Sequence, residues 1–131
     1  MKVVARHIEH FRFEMITDSQ KFLSDQTPEY GGEGTGPMPS ELFLCSLASC
    51  LGQSIAHIAE KKRMKLDSLS LEVEGTKDKE GFQYKEIKVN IKSNNEKEDL
   101  QKLLKLAKKY CFVSNTLKNS VDVEYCVENK K

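Results

Sequence analysis

The sequence has no excess of charge of either sign: its 21 Lys and Arg residues against 20 Asp and Glu leave a net charge of +1. General nucleic-acid binders carry a strong basic excess, so the balance argues against that class. Long apolar runs are scarce as well. The only one, residues 42–51, is too short to span a bilayer, and the N-terminus has no signal-peptide layout. The expectation is a cytoplasmic protein with no membrane partner. No two cysteines form a CxxC pair, and no Cys or His pair has zinc-ligand spacing, so a structural zinc site is not expected. The GGEGTG stretch at 31–36 lacks the Walker lysine and a preceding buried strand, which argues against a phosphate loop. It reads instead as a mobile loop covering a site, bounded by Gln26 and Met38. No serine–histidine–acid pattern stands out. His7 and His10 fall on opposite parities of one strand and would form no common site there.

What is present is one dominant helix. Residues 37–64, PMPSELFLCSLASCLGQSIAHIAEKKRM, read as a helix opening at Ser40 as N-cap, with Glu41 in the first turn, where its charge suits the helix dipole. From Leu42 to Leu51 this helix is apolar almost all the way round, which predicts burial on every side. Around it, alternation predicts a strand over 2–16, a short strand at Phe22–Leu23, and a hairpin of Leu66–Thr76 with Phe82–Ser93. A second, amphipathic helix runs from Glu96 to Tyr110 with Asn94 or Asn95 as its cap, its lysines forming a solvated face. A helical turn follows at Ser114–Leu117, then a last strand over Val121–Val127 and a frayed tail at Glu128–Lys131. The expected architecture is a single α+β domain over residues 1–131, with antiparallel sheets packed around a long central helix. One small sheet covers only one face of that helix. A second copy of the chain is expected to cover the other, giving an obligate homodimer.

The absences leave thiols as the candidate chemistry. The cysteines stand at 45, 50, 111 and 126 in a chain without secretory features, where thiols are mostly reduced or catalytic. Cys50 and Cys111 each lie in a segment that should pack centrally. At 100° per residue, Cys45 and Cys50 point apart on their helix and cannot pair with each other. Cys50 is mid-helix, beyond reach of the dipole, and needs a nearby cation to lower its pKa; Cys111, at the start of a new helical turn, is better placed for dipole help. Spacing does not rank the two.

The runs PSELFLCSLASCLGQSIAHIAEKKRM and CFVSNTLKNSVDVEYCV, taken in that order, resemble the OsmC/Ohr family of osmotically inducible and organic-hydroperoxide-resistance proteins over roughly residues 30–127. The resemblance implies an intertwined homodimer with active sites at its interface and a thiol peroxidase activity toward organic hydroperoxides, and less so toward hydrogen peroxide. It matches Cys50 to the cysteine that attacks peroxide and becomes a sulfenic acid. Cys111 matches the resolving cysteine that closes a disulfide with it. No bound cofactor is implied; an external dithiol, in family members often a lipoylated protein, restores the thiols. The family's glutamate directly follows the proline, where this chain has Ser40 and then Glu41. Glu41 and Arg12, the latter between Phe11 and Phe13, are the matches to the family's acid and activating arginine. Two other readings compete: a redox-sensing or small-apolar-ligand-binding dimer without turnover, and a thioester or acyl hydrolysis in which His57 meets Cys50 across the dimer.

Overall fold

The structure, a computed structural model, describes residues 1–130. The N-terminal segment folds back on itself rather than running on as one strand. β1 (Val4–Glu9) and β2 (Arg12–Ile16) form an antiparallel hairpin in which His7 lies opposite Phe13 and Val4 opposite Ile16. The turn is made at His10, whose φ of 50° is left-handed, and the His7 ring Nε2 hydrogen-bonds the His10 carbonyl oxygen at 2.9 Å. No glycine marks this turn, which is why the alternation carries straight through it. β3 (Lys21–Ser24) adds to β2 and completes a three-stranded antiparallel sheet.

After a short 3₁₀ turn at Pro28–Tyr30 comes α1 (Pro39–Lys61). Its first intrahelical bond runs from the Leu42 N–H to the Met38 carbonyl, which makes Met38 the cap, Pro39 the first helical residue and Glu41 the third. The Glu41 carboxylate accepts from the Met38 N–H at 3.0 Å, the reciprocal half of a capping box. Ser40 therefore lies inside the helix and is not its cap. The hairpin of β4 (Ser70–Lys77) and β5 (Tyr84–Lys92) follows, then α2 (Lys97–Tyr110) and the short α3 (Phe112–Lys118). Asn95 does not cap α2. It binds back across the chain instead, accepting from the Asp67 N–H at 2.8 Å and donating to the Lys65 carbonyl at 2.8 Å. Residues 120–130 form no strand, and Val121, Val123, Tyr125 and Val127 are all exposed. The alternation is present, but a strand needs a neighbouring edge. Of the expected frayed tail, Lys131 lies outside the described residues.

The chain divides into two compact units, the first made of Met1–Ser46 and Val73–Ile87, the second of Leu47–Glu72 and the chain from Lys88 on. In the first, Tyr84 anchors the hairpin: its hydroxyl donates to the Ser40 carbonyl at 2.8 Å and its ring lies against Phe43. Gly75 makes room for it, since a Cβ there would sit 2.5 Å from the Tyr84 ring. The apolar core lies in the second unit, where Leu47, Leu51, Ile55, Ile58 and Ala59 of α1 and Leu103, Ala107 and Cys111 are buried. At 23 residues α1 is long and apolar enough to cross a bilayer by composition alone. It instead buries one stripe at i, i+4, i+8, i+11 and i+12, as a core helix does. Burial on every side is not reached within one chain: Phe43, Cys45, Ser49, Gln53 and Ala56 remain exposed.

The loop at 26–38 is pinned rather than loose. Asp25, 1% exposed, accepts from the N–H groups of Gln26, Glu33 and Thr35 and from the Thr35 hydroxyl at 2.7–3.3 Å. Gly32 and Gly36 are required by the close approach, because a Cβ would meet the Gln26 and Leu23 carbonyl oxygens at 2.0 and 2.1 Å. Burial pushes the Asp25 carboxyl up, but the Thr35 hydroxyl and the three N–H groups outweigh it and lower the pKa from 3.8 to about 2. A depressed folded-state pKa gives stability that is present above 3.8 and lost as the pH falls through about 2. Replacing Asp25 with asparagine is therefore expected to lower the thermal unfolding midpoint near neutral pH. The gap from wild type should close progressively between these two values, as followed by circular dichroism across pH.

Candidate functional site

Cys111 is placed by the periodicity of α2. Leu103, Ala107 and Cys111 are spaced by four, and all three are fully buried. The helix ends at Tyr110, and Cys111 itself is extended, with φ −74° and ψ 103°, so its side chain stays on the buried stripe while the backbone turns into α3. The CFVSNT run builds this corner. The Asn115 side chain donates to the Lys109 carbonyl at 3.1 Å and its N–H to the Cys111 carbonyl at 2.9 Å, tying α3 to the last turn of α2. The Thr116 hydroxyl donates to the Phe112 carbonyl at 2.9 Å. Cys50 lies on α1 between the buried Leu47 and Leu51 and is half-buried.

Cys50 and Cys111 both lie in the second compact unit, where the Cys50 thiol is close enough to act on the Cys111 thiol. All four cysteines are free. Burial pushes the Cys111 thiol up, but the Ser114 hydroxyl and N–H, the Cys50 thiol and the Val113 N–H together hold it below the usual thiol range. No capping hydrogen bond is closed by the Cys111 side chain at the start of α3. The N–H groups of Val113 and Ser114 instead act on it as nearby dipoles that favour the charged form. The Ser114 hydroxyl also donates to the Cys111 carbonyl at 3.3 Å. Cys45 and Cys126 are exposed.

Arg12 and Glu41, the other two residues expected at the site, lie in the first compact unit, whereas Cys50 and Cys111 lie in the second. Arg12 opens β2 and is largely buried; its Nη1 pairs with Glu9 at 2.7 Å and with Glu33 at 3.6 Å. Its Nε is buried with no hydrogen-bond partner. The carboxylates on this arginine are thus Glu9 and Glu33, and Glu41 is engaged as the α1 cap. Among the described residues no group of three His, Cys, Asp or Glu is placed to hold a metal ion. Two contributors were not evident from the residues alone. Ser114 is one polar residue in a short helix-like run, and Asp25 acts through partners up to ten residues away in a glycine-rich loop.

The family model described as OsmC-like protein matches residues 32–125 of the chain. No curated protein matches it. Among solved structures, the chain is similar to the OsmC-like protein of Mycoplasma pneumoniae, with 23% identity, 90% of this chain and 86% of that one covered, and a TM-score of 0.76. An organic hydroperoxide resistance protein OsmC from Legionella pneumophila gives 22% identity, coverage of 95% and 94%, and a TM-score of 0.70. The organic hydroperoxide resistance protein OhrB of Bacillus subtilis gives 24%, 94% and 93%, and 0.61. At these identities the likeness is one of fold, an α+β architecture with antiparallel sheets and a long helix.

The cap assignment gives a direct test. Glu41→Ala removes both the hydrogen bond to Met38 and the favourable charge at the helix start. It is expected to cost about 0.5–1 kcal/mol in urea unfolding, with Glu41→Gln costing less because the acceptor is kept.

Proposed function

The chain belongs to the OsmC-like protein family, and we propose that it is a thiol peroxidase that reduces organic hydroperoxides through Cys50 and Cys111. The observation that supports this best is the proximity of a half-buried thiol on α1 to a fully buried thiol just past the end of α2. In this reaction the Cys50 thiolate attacks the outer peroxide oxygen. The O–O bond breaks, the alcohol leaves with a proton, and Cys50 becomes a sulfenic acid. Cys111 then attacks the Cys50 sulfur: the S–S bond forms, the S–O bond breaks and the oxygen leaves as water. Two thiols of an external dithiol reverse the disulfide by exchange and are themselves oxidised.

The division of roles follows from exposure. A peroxide must reach the attacking sulfur, and Cys50 is the more accessible of the two. Cys111 needs to reach only Cys50, so complete burial does not hinder it. Arg12, the residue matched to the family's activating arginine, is oriented by Glu9 and Glu33 rather than by Glu41. The catalytic unit is a homodimer. The exposed stripe of α1 and the apolar side chains of Phe22, Val121, Val123 and Val127 are the surfaces a second copy would cover.

Two experiments test this reading. Purified protein with a dithiol reductant should consume cumene hydroperoxide. Cys50→Ser should abolish turnover, Cys111→Ser should leave a stable sulfenic acid at Cys50, and mass spectrometry should find a Cys50–Cys111 disulfide after one equivalent of peroxide. Turnover no faster than that of a free thiol would overturn the peroxidase assignment. Light scattering should give twice the 15.0 kDa chain mass, and Ala56→Arg, on the exposed stripe of α1, should reduce it to one chain with unchanged far-UV circular dichroism.

A further inference from the structure

The C-terminal half of α1 and the end of α2 enclose a cavity that the thiol chemistry does not use. Both segments belong to the second compact unit. The cavity measures about 440 Å³ and is lined by His57, Ile58, Lys61, Lys62, Leu106 and Tyr110. Small-molecule sites span about 300–1,000 Å³, so its size suits such a ligand. Helical spacing builds it: Ile58, Lys61 and Lys62 stand at i, i+3 and i+4 on α1, and Leu106 and Tyr110 at i and i+4 on α2. Neither Cys50 nor Cys111 lines it. His57 lies seven residues past Cys50, about 10 Å along the helix axis.

The lining is chemically two-sided. Ile58 is buried and Leu106 half-buried, and with the Tyr110 ring they supply apolar surface. Lys61 and Lys62 supply two ammonium groups, and neither forms an ion pair among the described residues. The His57 ring and the Tyr110 hydroxyl can donate hydrogen bonds. None of the six lining residues is acidic. Glu60, the acid beside them in sequence, is exposed and stands about 160° round the helix from Ile58. Arg63, Lys105 and Lys109, each next to a lining residue in sequence, add to the positive potential.

We propose that this cavity binds a small amphipathic carboxylate, its tail on Ile58, Leu106 and the Tyr110 ring and its head between Lys61 and Lys62. An uncharged hydrocarbon leaves the two lysines unused. A bare anion leaves the apolar floor wet. A carboxylate on an apolar tail matches both, with one oxygen for each ammonium group. The site goes beyond the thiol reading and does not depend on it, since binding there makes and breaks no bond.

The experiment is calorimetric titration of the reduced protein with butyrate, hexanoate and octanoate, and with octanol and octylamine as probes lacking the negative charge. One octanoate per chain is expected, with affinity rising by up to about fourfold for each CH₂ added to the tail. Octanol and octylamine should bind more weakly than octanoate by roughly tenfold, the contribution of two exposed ion pairs. Lys61→Gln/Lys62→Gln should weaken octanoate by that same factor and remove the salt dependence of its binding. Leu106→Asn should instead flatten the chain-length series, and both variants should keep the far-UV circular dichroism of wild type. Amide shifts on adding octanoate should cluster at residues 57–62 and 106–110. No binding of octanoate at millimolar concentration, octanol binding as tightly as octanoate, or a double lysine variant with wild-type affinity would each overturn the site. Peroxide turnover enters none of these results, so the site and the peroxidase reading stand or fall separately.

Discussion

The site depends on one constraint: α1 and α2 each bury a single stripe in the same unit, and both stripes carry sulfur at or beside their edge. On α2 the stripe is short. Leu103 and Ala107 fix the helix rotation, and Cys111 continues it past the point where the backbone has stopped being helical. On α1 the buried positions Leu47 and Leu51 bracket Cys50, which is carried to the margin of the stripe rather than its centre. Apolar burial is non-directional, but helical spacing converts it into a direction for every side chain on the element. The approach of the two thiols follows from the packing of residues that take no part in chemistry.

That same constraint leaves α1 half covered. Its sequence is apolar on nearly all sides, whereas one chain provides packing for one side only. The exposed alternation at Val121–Val127 has the same character: side chains patterned for a sheet, with no strand formed in the chain described. Both are apolar surface that burial would stabilise by about 25 cal/mol per Å², and a homodimer, as proposed, would satisfy both with one partner. Arg12 adds a polar counterpart, with a buried Nε that finds no acceptor.

What could be read from the residues was whatever rests on periodicity. The hairpin of β4 and β5, the amphipathic α2 and the central α1 were legible because burial imposes a period of two or 3.6 on the sequence itself. What escaped depends on single residues acting across the chain. The turn at His10 adopts a left-handed conformation without glycine, so no punctuation marks it. Ser40 has the right side chain for a cap, but Pro39 needs no N–H donor at the first helical position and Glu41 reaches back to Met38, which shifts the start. Asn95 looks like a cap for α2 and is taken by Lys65 and Asp67, some thirty positions earlier. Of the four residues expected at the site, the two thiols lie in the second compact unit and Glu41 and Arg12 in the first. Central packing made both thiols candidates and the resemblance assigned their roles, whereas Glu41 was matched one place off the family's position and Arg12 only by its place between Phe11 and Phe13.

The asymmetry between the thiols bears on their proposed chemistry. A sulfur that forms a sulfenic acid must be reachable, and that exposes it to a second oxidation, to the sulfinic state, from which thiols do not return it. Rapid capture by a neighbouring thiolate limits that loss. A thiolate kept out of water meets little peroxide itself, but its charge must then be stabilised by fixed groups. At Cys111 those groups are the Ser114 hydroxyl and N–H and the Val113 N–H, all supplied by the first turn of α3. Asn115 in turn holds that turn against Lys109 at the end of α2. The CFVSNT run can thus be read as one device: a cysteine delivered by α2, a helix start that stabilises its charge, and an amide that fixes the angle between them.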